Sequence, residues 1–178
     1  MEISNCPTFQ SALPIVTIHL ITIICLLPQY HYNLGILLHT MTKGSNVADE
    51  IIFSVTDQIN YGIEDSSAQS PELRIDLAKL NEMAGAKAVD RSDFVTARSY
   101  LNTALSLLPY NHWKSHYELS LRLSFLLAQS ANSCGDVEKA QLTLQEVLNE
   151  CHGIEDKLSS YYLRADSKCQ HLNPYLFS

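Results

Sequence analysis

The feature that most constrains this chain is a pattern of small and large apolar residues that occurs twice, 43 positions apart. In the first copy a glycine is followed by two alanines, seven residues apart, with a leucine between them. The second copy has alanine, alanine, leucine and valine at the corresponding positions. The two sets are Gly85, Ala97, Leu101 and Ala104, and then Ala128, Ala140, Leu144 and Val147. A fixed internal spacing is typical of repeat proteins, whose units stack on one another.

Each copy has the properties of a helical hairpin, in which two helices are joined by a tight turn. Small residues let two helix backbones approach closely, while large side chains fill the grooves on either side. Ala97 and Ala104 are therefore expected where the partner helix crosses, with Gly85 as the matching position on that helix. The chain is predicted to be all-α with about two and a half hairpins, fewer than the three or so units that usually stabilise a stack.

Further helices are predicted before and after the two hairpins. Val47, Ile51, Val55 and Ile59 recur every four residues, which indicates an amphipathic helix. A shorter helix is predicted before it and another after the second hairpin, so that the chain is expected to hold about five to seven helices. The predicted segments are an apolar segment (1–28), two helices (29–62), a polar loop (63–71), the repeats (72–172) and a tail (173–178).

The apolar segment at the start has three interpretations. Residues 13–27, LPIVTIHLITIICLL, are almost wholly apolar, and no Asp, Glu, Lys or Arg occurs between Glu2 and Lys43. We favour a buried remnant of a larger domain. A second interpretation is that residues 12–27 associate with a membrane, although the run is shorter than the roughly 20 residues of a spanning helix. The third is a signal peptide, against which the lack of an early basic residue counts.

Charge and cysteine usage restrict the partners and the compartment. The net charge is -7 and no basic patch occurs, which argues against nucleic acid as a partner. The five cysteines contain no C-x-x-C pair, which favours reduced thiols in the cytoplasm over a disulfide framework. Cys151, His152, Cys169 and His171 are residue types that bind zinc, but their spacing fits no usual structural site.

An aromatic cluster in LLPYNHWKSHYELS, between the two copies of the pattern, also has two interpretations. Aromatic clusters are common at binding surfaces, so this one is a candidate for contacts with a ligand or a partner. Its members are Tyr110, His112, Trp113, His116 and Tyr117. We favour a hydrophobic plug, in which Trp113 and Tyr117 seat the next helix against the first hairpin.

The repeated pattern resembles that of tetratricopeptide proteins, in the spacing small-x11-Ala-x3-bulky-x2-Ala-x4-Pro. The matching residues are Gly85, Phe94, Ala97, Leu101, Ala104 and Pro109. Residues 27–165, and Leu80 to Leu127 most closely, are similar to the helical region of large multidomain sensor kinases of the histidine or serine/threonine type. In those proteins an AAA/STAND-type ATPase module precedes tetratricopeptide-like helices. The resemblance implies an α-solenoid that lies between signalling domains.

The motifs that carry activity in such kinases do not occur in this sequence. It has no Gly-rich nucleotide loop, no hydrophobic-Asp-Asp/Glu magnesium strand and no phospho-acceptor histidine motif. We therefore assign no catalytic, cofactor-binding or metal-binding residue, and we expect a non-catalytic interaction or relay module. One alternative is an incomplete portion of a nucleotide-dependent kinase or ATPase. Another is an adaptor tethered to a membrane.

The resemblance also implies a face that binds a protein partner. In tetratricopeptide solenoids the first helix of each hairpin lines a concave surface on which extended peptides bind. The corresponding residues here are Lys79, Glu82, Arg122, Phe125, Gln129 and Asn132. The alternative, which we favour on the residues alone, is an ordinary solvated face.

Overall fold

The computed structural model describes residues 27–42, 47–63 and 69–172, and their side chains except those of 47–50 and 166–172. The apolar segment predicted at residues 1–28 lies outside the described residues apart from its last two. The tail predicted at residues 173–178 also lies outside them.

The described residues form helices and no strand, which confirms the all-α class. Eight helices are present in the described residues: α1 (27–42), α2 (Val47–Gly62), α3 (Pro71–Asp90), α4 (Phe94–Leu107), α5 (His112–Ser115), α6 (Tyr117–Ser133), α7 (Val137–Glu150) and α8 (Ile154–Leu172). The prediction of about five to seven helices was too low, because the connection between the hairpins contains the one-turn helix α5. None of the described helices combines the length and the apolarity that crossing a membrane requires.

The chain divides into two compact units, Met1–Ala68 and Gln69–Ser178. In the first unit α1 and α2 approach closely at Gly35. A Cβ atom on Gly35 would lie 2.6 Å from Cγ1 of Ile59 and 2.9 Å from its backbone nitrogen, so only glycine fits there. A hydrogen bond of 2.5 Å between His31 and Gln58 joins the same two helices.

In the second unit α3 and α4 form an antiparallel hairpin. Ser70 caps α3 by accepting a hydrogen bond from the backbone N–H of Leu73 at 3.2 Å. The guanidinium of Arg74, at the start of α3, donates to the backbone carbonyls of Ser106 and Leu107 at the end of α4, both at 3.2 Å. Since these carbonyls have no partner within their own helix, Arg74 both satisfies them and ties the two helix ends together.

The turns of the two hairpins have the same geometry, 43 positions apart. Asp93 and Asp136 cap α4 and α7, each accepting a hydrogen bond from the backbone N–H three residues later, at 3.2 and 3.1 Å. The residue before each has a left-handed backbone, with φ of 60° at Ser92 and 76° at Gly135. The internal repeat seen in the sequence is thus also a repeat of backbone conformation.

The hairpins stack in a regular order. Helix α6 contacts α3 and α4 of the first hairpin, and α8 contacts α6 and α7 of the second hairpin in the same way. The residues of the repeated pattern are all buried: Gly85, Ala97, Leu101, Ala104, Ala128, Ala140, Leu144 and Val147. A Cβ atom on Gly85 would lie 2.8 Å from Cγ of Leu101. The absence of a side chain at Gly85 therefore leaves the space that the side chain of Leu101 occupies.

Trp113 packs inside the second hairpin. Its indole lies in a cluster with Leu121 of α6 and with Val147 and Cys151 at the end of α7. The indole N–H donates to a carboxylate oxygen of Glu146 at 3.0 Å. The prediction that Trp113 seats the next helix against the first hairpin is therefore wrong about where the ring packs. Helix α5 directly precedes α6, and the hydrogen bond to Glu146 holds the ring against α7 of the second hairpin.

Truncating Trp113 should destabilise the fold strongly. We expect Trp113→Ala to lower the free energy of unfolding by about 3–5 kcal/mol, since it leaves a cavity in the second hairpin. Tyr110 is the matched control, because it lies in the same connection and is fully exposed. Tyr110→Ala should change stability by no more than about 0.5 kcal/mol. The measurement is urea unfolding followed by circular dichroism, and equal effects of the two substitutions would contradict this packing.

Candidate interaction surface

The first helices of the successive hairpins, α3 and α6, meet through an ion pair. The guanidinium of Arg122 binds both carboxylate oxygens of Glu82, at 2.5 and 3.2 Å. These hydrogen bonds raise the pKa of Arg122 above its ordinary value, and the attraction of the Glu82 charge adds to them. Because the residues are 40 positions apart, the pair joins one hairpin to the next.

Other predicted members of this face lie around the pair. Lys79 is exposed and lies 3.8 Å from the carboxylate of Asp76, one turn earlier on α3. Gln129 is exposed on α6, and Asn132 is half-buried near the end of that helix. Since Lys79 and Arg122 each face an acidic side chain of the same protein, their charges are balanced within the chain.

An open apolar groove lies beside Phe125. Its volume is about 510 Å³, and its walls are Phe125 of α6 with Leu158, Ser159, Tyr162 and Leu163 of α8. Phe125 is half-buried, whereas Leu158 and Tyr162 are exposed. The predicted face therefore continues onto α8. We call the combined surface, Lys79, Glu82, Arg122, Phe125, Gln129, Leu158 and Tyr162, the α3/α6/α8 face.

Helix α8 has two different sides. Ser160 is fully buried and Asp156 and Leu163 are half-buried, and these three residues follow one another at helical spacing. The opposite side is an exposed apolar stripe of Ile154, Leu158, Tyr161 and Tyr162. Contiguous exposed apolar residues are uncommon on the surface of a monomeric protein, and this stripe is therefore a candidate contact surface. The sequence predicts α8 only as half of a further hairpin, and the helical spacing of these four residues is the signal that indicates the stripe.

The start of α8 is fixed by an aromatic network. The hydroxyl of Tyr117 donates to a carboxylate oxygen of Asp156 at 2.5 Å and accepts from the backbone N–H of His152 at 3.2 Å. The rings of Tyr117 and His152 stack with centroids 4.7 Å apart. Burial, and then the hydrogen bond to Asp156, raise the pKa of Tyr117. These contacts hold α6 and α8 at a set separation and so define the groove.

His112 is a half-buried titratable group beside this network. One ring nitrogen lies 2.8 Å from the hydroxyl of Ser120. Burial lowers the pKa of His112 below its ordinary value, and the nearby His116 adds to this effect, while the charges of Glu146 and Glu150 oppose it. The neutral imidazole is therefore the form that the fold prefers.

This preference should make stability depend on pH. Because the pKa of His112 is lower in the folded chain, the unfolded chain takes up its proton first, and the stability it contributes is lost as pH falls below about 6.5. The free energy of unfolding should fall more steeply between about pH 7.5 and 5.5 for the natural chain than for His112→Asn. His116→Asn is the control: His116 makes the smallest contribution to the shift in the pKa of His112, so this variant should retain most of the dependence. Equal slopes for His112→Asn and the natural chain would contradict the assignment.

The thiols and metal-binding residue types form no site in the part of the chain that the structure describes. Cys134 is exposed and Cys151 is buried, and both are free thiols. No three His, Cys, Asp or Glu side chains lie close enough within the described residues to hold a metal ion. The side chains of Cys169 and His171, considered above as zinc-binding types, lie outside those residues.

The chain is similar to part of one signalling kinase. It is 28% identical over 106 residues to the hybrid signal transduction histidine kinase G of Dictyostelium discoideum, a match that covers 54% of this chain. The matched region is about 3% of the length of that kinase. The chain is therefore distantly related to a signal-transduction kinase. No protein-family model and no solved structure matches it.

Proposed function

We propose that the chain is a non-catalytic interaction module of a signalling protein, which relays contacts between its neighbours through packed helices. The distant relationship to a signal-transduction kinase supports the signalling context. The repeated hairpins support the structural role, because in a stack of repeats each unit contacts only its neighbours and so connects one neighbour to the next. A cytoplasmic location is part of the proposal, in keeping with the free thiols of Cys134 and Cys151.

The architecture we propose is a tetratricopeptide-like α-solenoid of the kind that follows AAA/STAND-type ATPase modules in large sensor kinases. Two observations support it. The turn conformation recurs 43 positions apart, at Ser92–Asp93 and Gly135–Asp136. The helix that follows each hairpin also contacts both of its helices, as α6 does with α3 and α4 and α8 does with α6 and α7. Because α8 packs on the second hairpin as α6 packs on the first, a further helix could pair with α8 in the same way.

The partner we propose is a polypeptide that lies on the α3/α6/α8 face. The observation that carries this assignment is the exposed apolar stripe of α8, which is continuous with the groove beside Phe125. Because Arg122 is paired with Glu82 within the chain, a ligand gains little from a carboxylate on this face. The segment that binds should therefore be apolar, with side chains that enter the groove between α6 and α8.

A matched pair of leucines tests the face. Leu158 of α8 and Leu142 of α7 are exposed to nearly the same extent, 68% and 64%, but only Leu158 lies in the groove. Peptides are first selected from a random displayed library on the purified chain, and their affinities are then measured for each variant. Leu158→Ala should weaken binding by about tenfold, as truncation of a central apolar contact does, whereas Leu142→Ala should leave it within about twofold.

Two outcomes would contradict the proposal. One is that Leu158→Ala and Leu142→Ala have the same effect on every selected peptide. The other is that no peptide is enriched over selection on an unrelated helical protein.

A second candidate function follows from the name of the related kinase. The chain would then be an incomplete portion of a nucleotide-dependent kinase that itself takes part in nucleotide binding. Isothermal calorimetry with ATP and Mg²⁺ separates the two candidates. The non-catalytic assignment predicts no saturable heat, and a dissociation constant below about 1 mM would favour the kinase instead.

A further inference from the structure

The exposed stripe of α8 has a side that the groove does not use. Leu158 and Tyr162 line the groove between α6 and α8, but Ile154 and Tyr161 do not. Both are exposed, and Ala165, one turn after Tyr161, is exposed as well. Ile154, Leu158, Tyr161 and Ala165 follow one another at intervals of four, three and four residues, so they share one side of the helix. We call these four residues the outer face of α8.

Helix α6 follows the first hairpin as α8 follows the second, so the two helices can be compared residue by residue. Helix α6 begins at Tyr117 and α8 at Ile154, which places corresponding residues 37 positions apart. This spacing is shorter than 43 because the connection before α8 lacks the one-turn helix α5. Corresponding residues are buried to the same degree on the shared side of the two helices. The pairs are Leu123 and Ser160, both buried, Leu126 and Leu163, both half-buried, and Arg122 and Ser159, both exposed.

On α6 the positions that correspond to the outer face are buried beside α7. They are Tyr117, Leu121, Ser124 and Ala128, of which Tyr117 is half-buried and the others are buried. Leu121 packs with Val147 and Cys151 at the end of α7, and Tyr117 packs against the same cluster. Since α8 presents the same positions to solvent, the occupant that fits is a helix antiparallel to α8, placed as α7 is on α6.

The described helices of this chain leave the outer face exposed. Six residues, 173–178, follow α8 in the sequence. The second helices of the two hairpins, α4 and α7, have 14 residues each. Because a helical turn takes about 3.6 residues, those six residues form less than two turns and are too short to replace such a helix.

A basic residue borders the outer face. Lys157 is exposed, and its counterpart on α6 is Ser120. A ring nitrogen of His112 lies 2.8 Å from the hydroxyl of Ser120, and the charges of Glu146 and Glu150 of α7 act on that ring. The last turns of a helix placed like α7 would therefore come close to Lys157. Acidic residues at that end of the helix would be attracted to the Lys157 ammonium.

We propose that the outer face of α8 binds an amphipathic helix of a partner polypeptide, antiparallel to α8, with acidic residues near its C-terminal end beside Lys157. The helix completes a third hairpin in the way that α7 completes the second. Only Leu158 belongs both to the outer face and to the α3/α6/α8 face. The inference therefore goes beyond the proposed function, and either can fail without the other.

A displayed library based on α7 provides the probes. Residues 137–151 are displayed with the exposed positions of α7 kept, Glu146 and Glu150 among them. Its five buried positions are randomised: Ala140, Thr143, Leu144, Val147 and Cys151. Selection on the purified full chain should enrich apolar residues at these positions, since they form the side that packs on α8.

The best selected peptide is then compared with its Gln145→Pro form by fluorescence anisotropy. Gln145 is exposed on α7, so the substitution leaves the randomised side unchanged but breaks the helix. The proline form should bind about 100-fold more weakly.

Variants of the chain locate the bound peptide. Ile154→Ala and Tyr161→Ala should each weaken binding about tenfold, because both remove an apolar contact of the outer face. Leu142→Ala is the control: it removes an exposed leucine from α7 and should leave the affinity within about twofold. Ser159→Lys places a charge in the groove and should also leave the affinity within about twofold, which separates the outer face from the groove. Circular dichroism melting shows that each variant is folded.

The charge of Lys157 is tested by reversing it. Lys157→Glu should weaken the selected peptide about fivefold, because it places a negative charge next to Glu146 and Glu150 of the peptide. A peptide with Glu146→Gln and Glu150→Gln should bind the natural chain and the Lys157→Glu variant about equally.

Four results would overturn the inference. Failure to enrich any peptide, or equal affinities of the selected peptide and its Gln145→Pro form, would exclude a helical partner. Equal effects of Tyr161→Ala and Leu142→Ala would place the peptide elsewhere, and a loss of affinity in Lys157→Glu that is the same for both peptides would exclude the acidic end. Sedimentation of the chain alone tests a second copy as the occupant: a dimer that Tyr161→Asp converts to a monomer would assign the face to that copy instead.

Discussion

Close contact between helix backbones at small residues is the constraint on which the second unit depends. At Gly85 a Cβ atom would lie 2.8 Å from Cγ of Leu101, so a side chain at this position would force Leu101 to shift. The second hairpin places Ala128 and Leu144 at the corresponding positions, and both are buried. Where small and large side chains interlock in this way, the separation and the register of two helices are set together. The side-chain packing thus sets the relative position of the two helices in each hairpin, and the tight turns at Asp93 and Asp136 connect them.

This packing brings charged and aromatic residues of different hairpins together, and these contacts in turn shape the surface. Glu82 and Arg122 join α3 to α6, and the hydroxyl of Tyr117 joins α6 to Asp156 at the start of α8. The first contact neutralises the charges of the α3/α6/α8 face. The second holds α8 so that its apolar stripe, which includes Leu158, faces outward. A surface that is electrically balanced on α3 and α6 and apolar on α8 is in keeping with the polypeptide partner that we propose.

The parts of the fold that were predictable from the sequence are those controlled by local patterns. The repeat spacing predicted the all-α class, and the residues that begin α4 and α7 have the side chains that cap helices. The missed features depend on residues far apart in the chain. The ion pair of Arg122 spans 40 positions, and the bond from Trp113 to Glu146 spans 33, so neither leaves a periodic signal. Helix α5 was missed because a single turn is too short for a hydrophobic period.

Solvent access to two alanine methyl groups tests the central claim most directly. Ala97 and Ala140 are the small residues at which the hairpins close, and Ala165 of α8 is an exposed alanine in the same unit. Paramagnetic relaxation of the methyl signals by a soluble, uncharged gadolinium chelate compares all three in one sample. If small residues hold the helices in contact, the methyl groups of Ala97 and Ala140 relax far more slowly than that of Ala165. Equal relaxation of the three methyl groups would mean that the helices do not meet at these positions, and the account would be wrong.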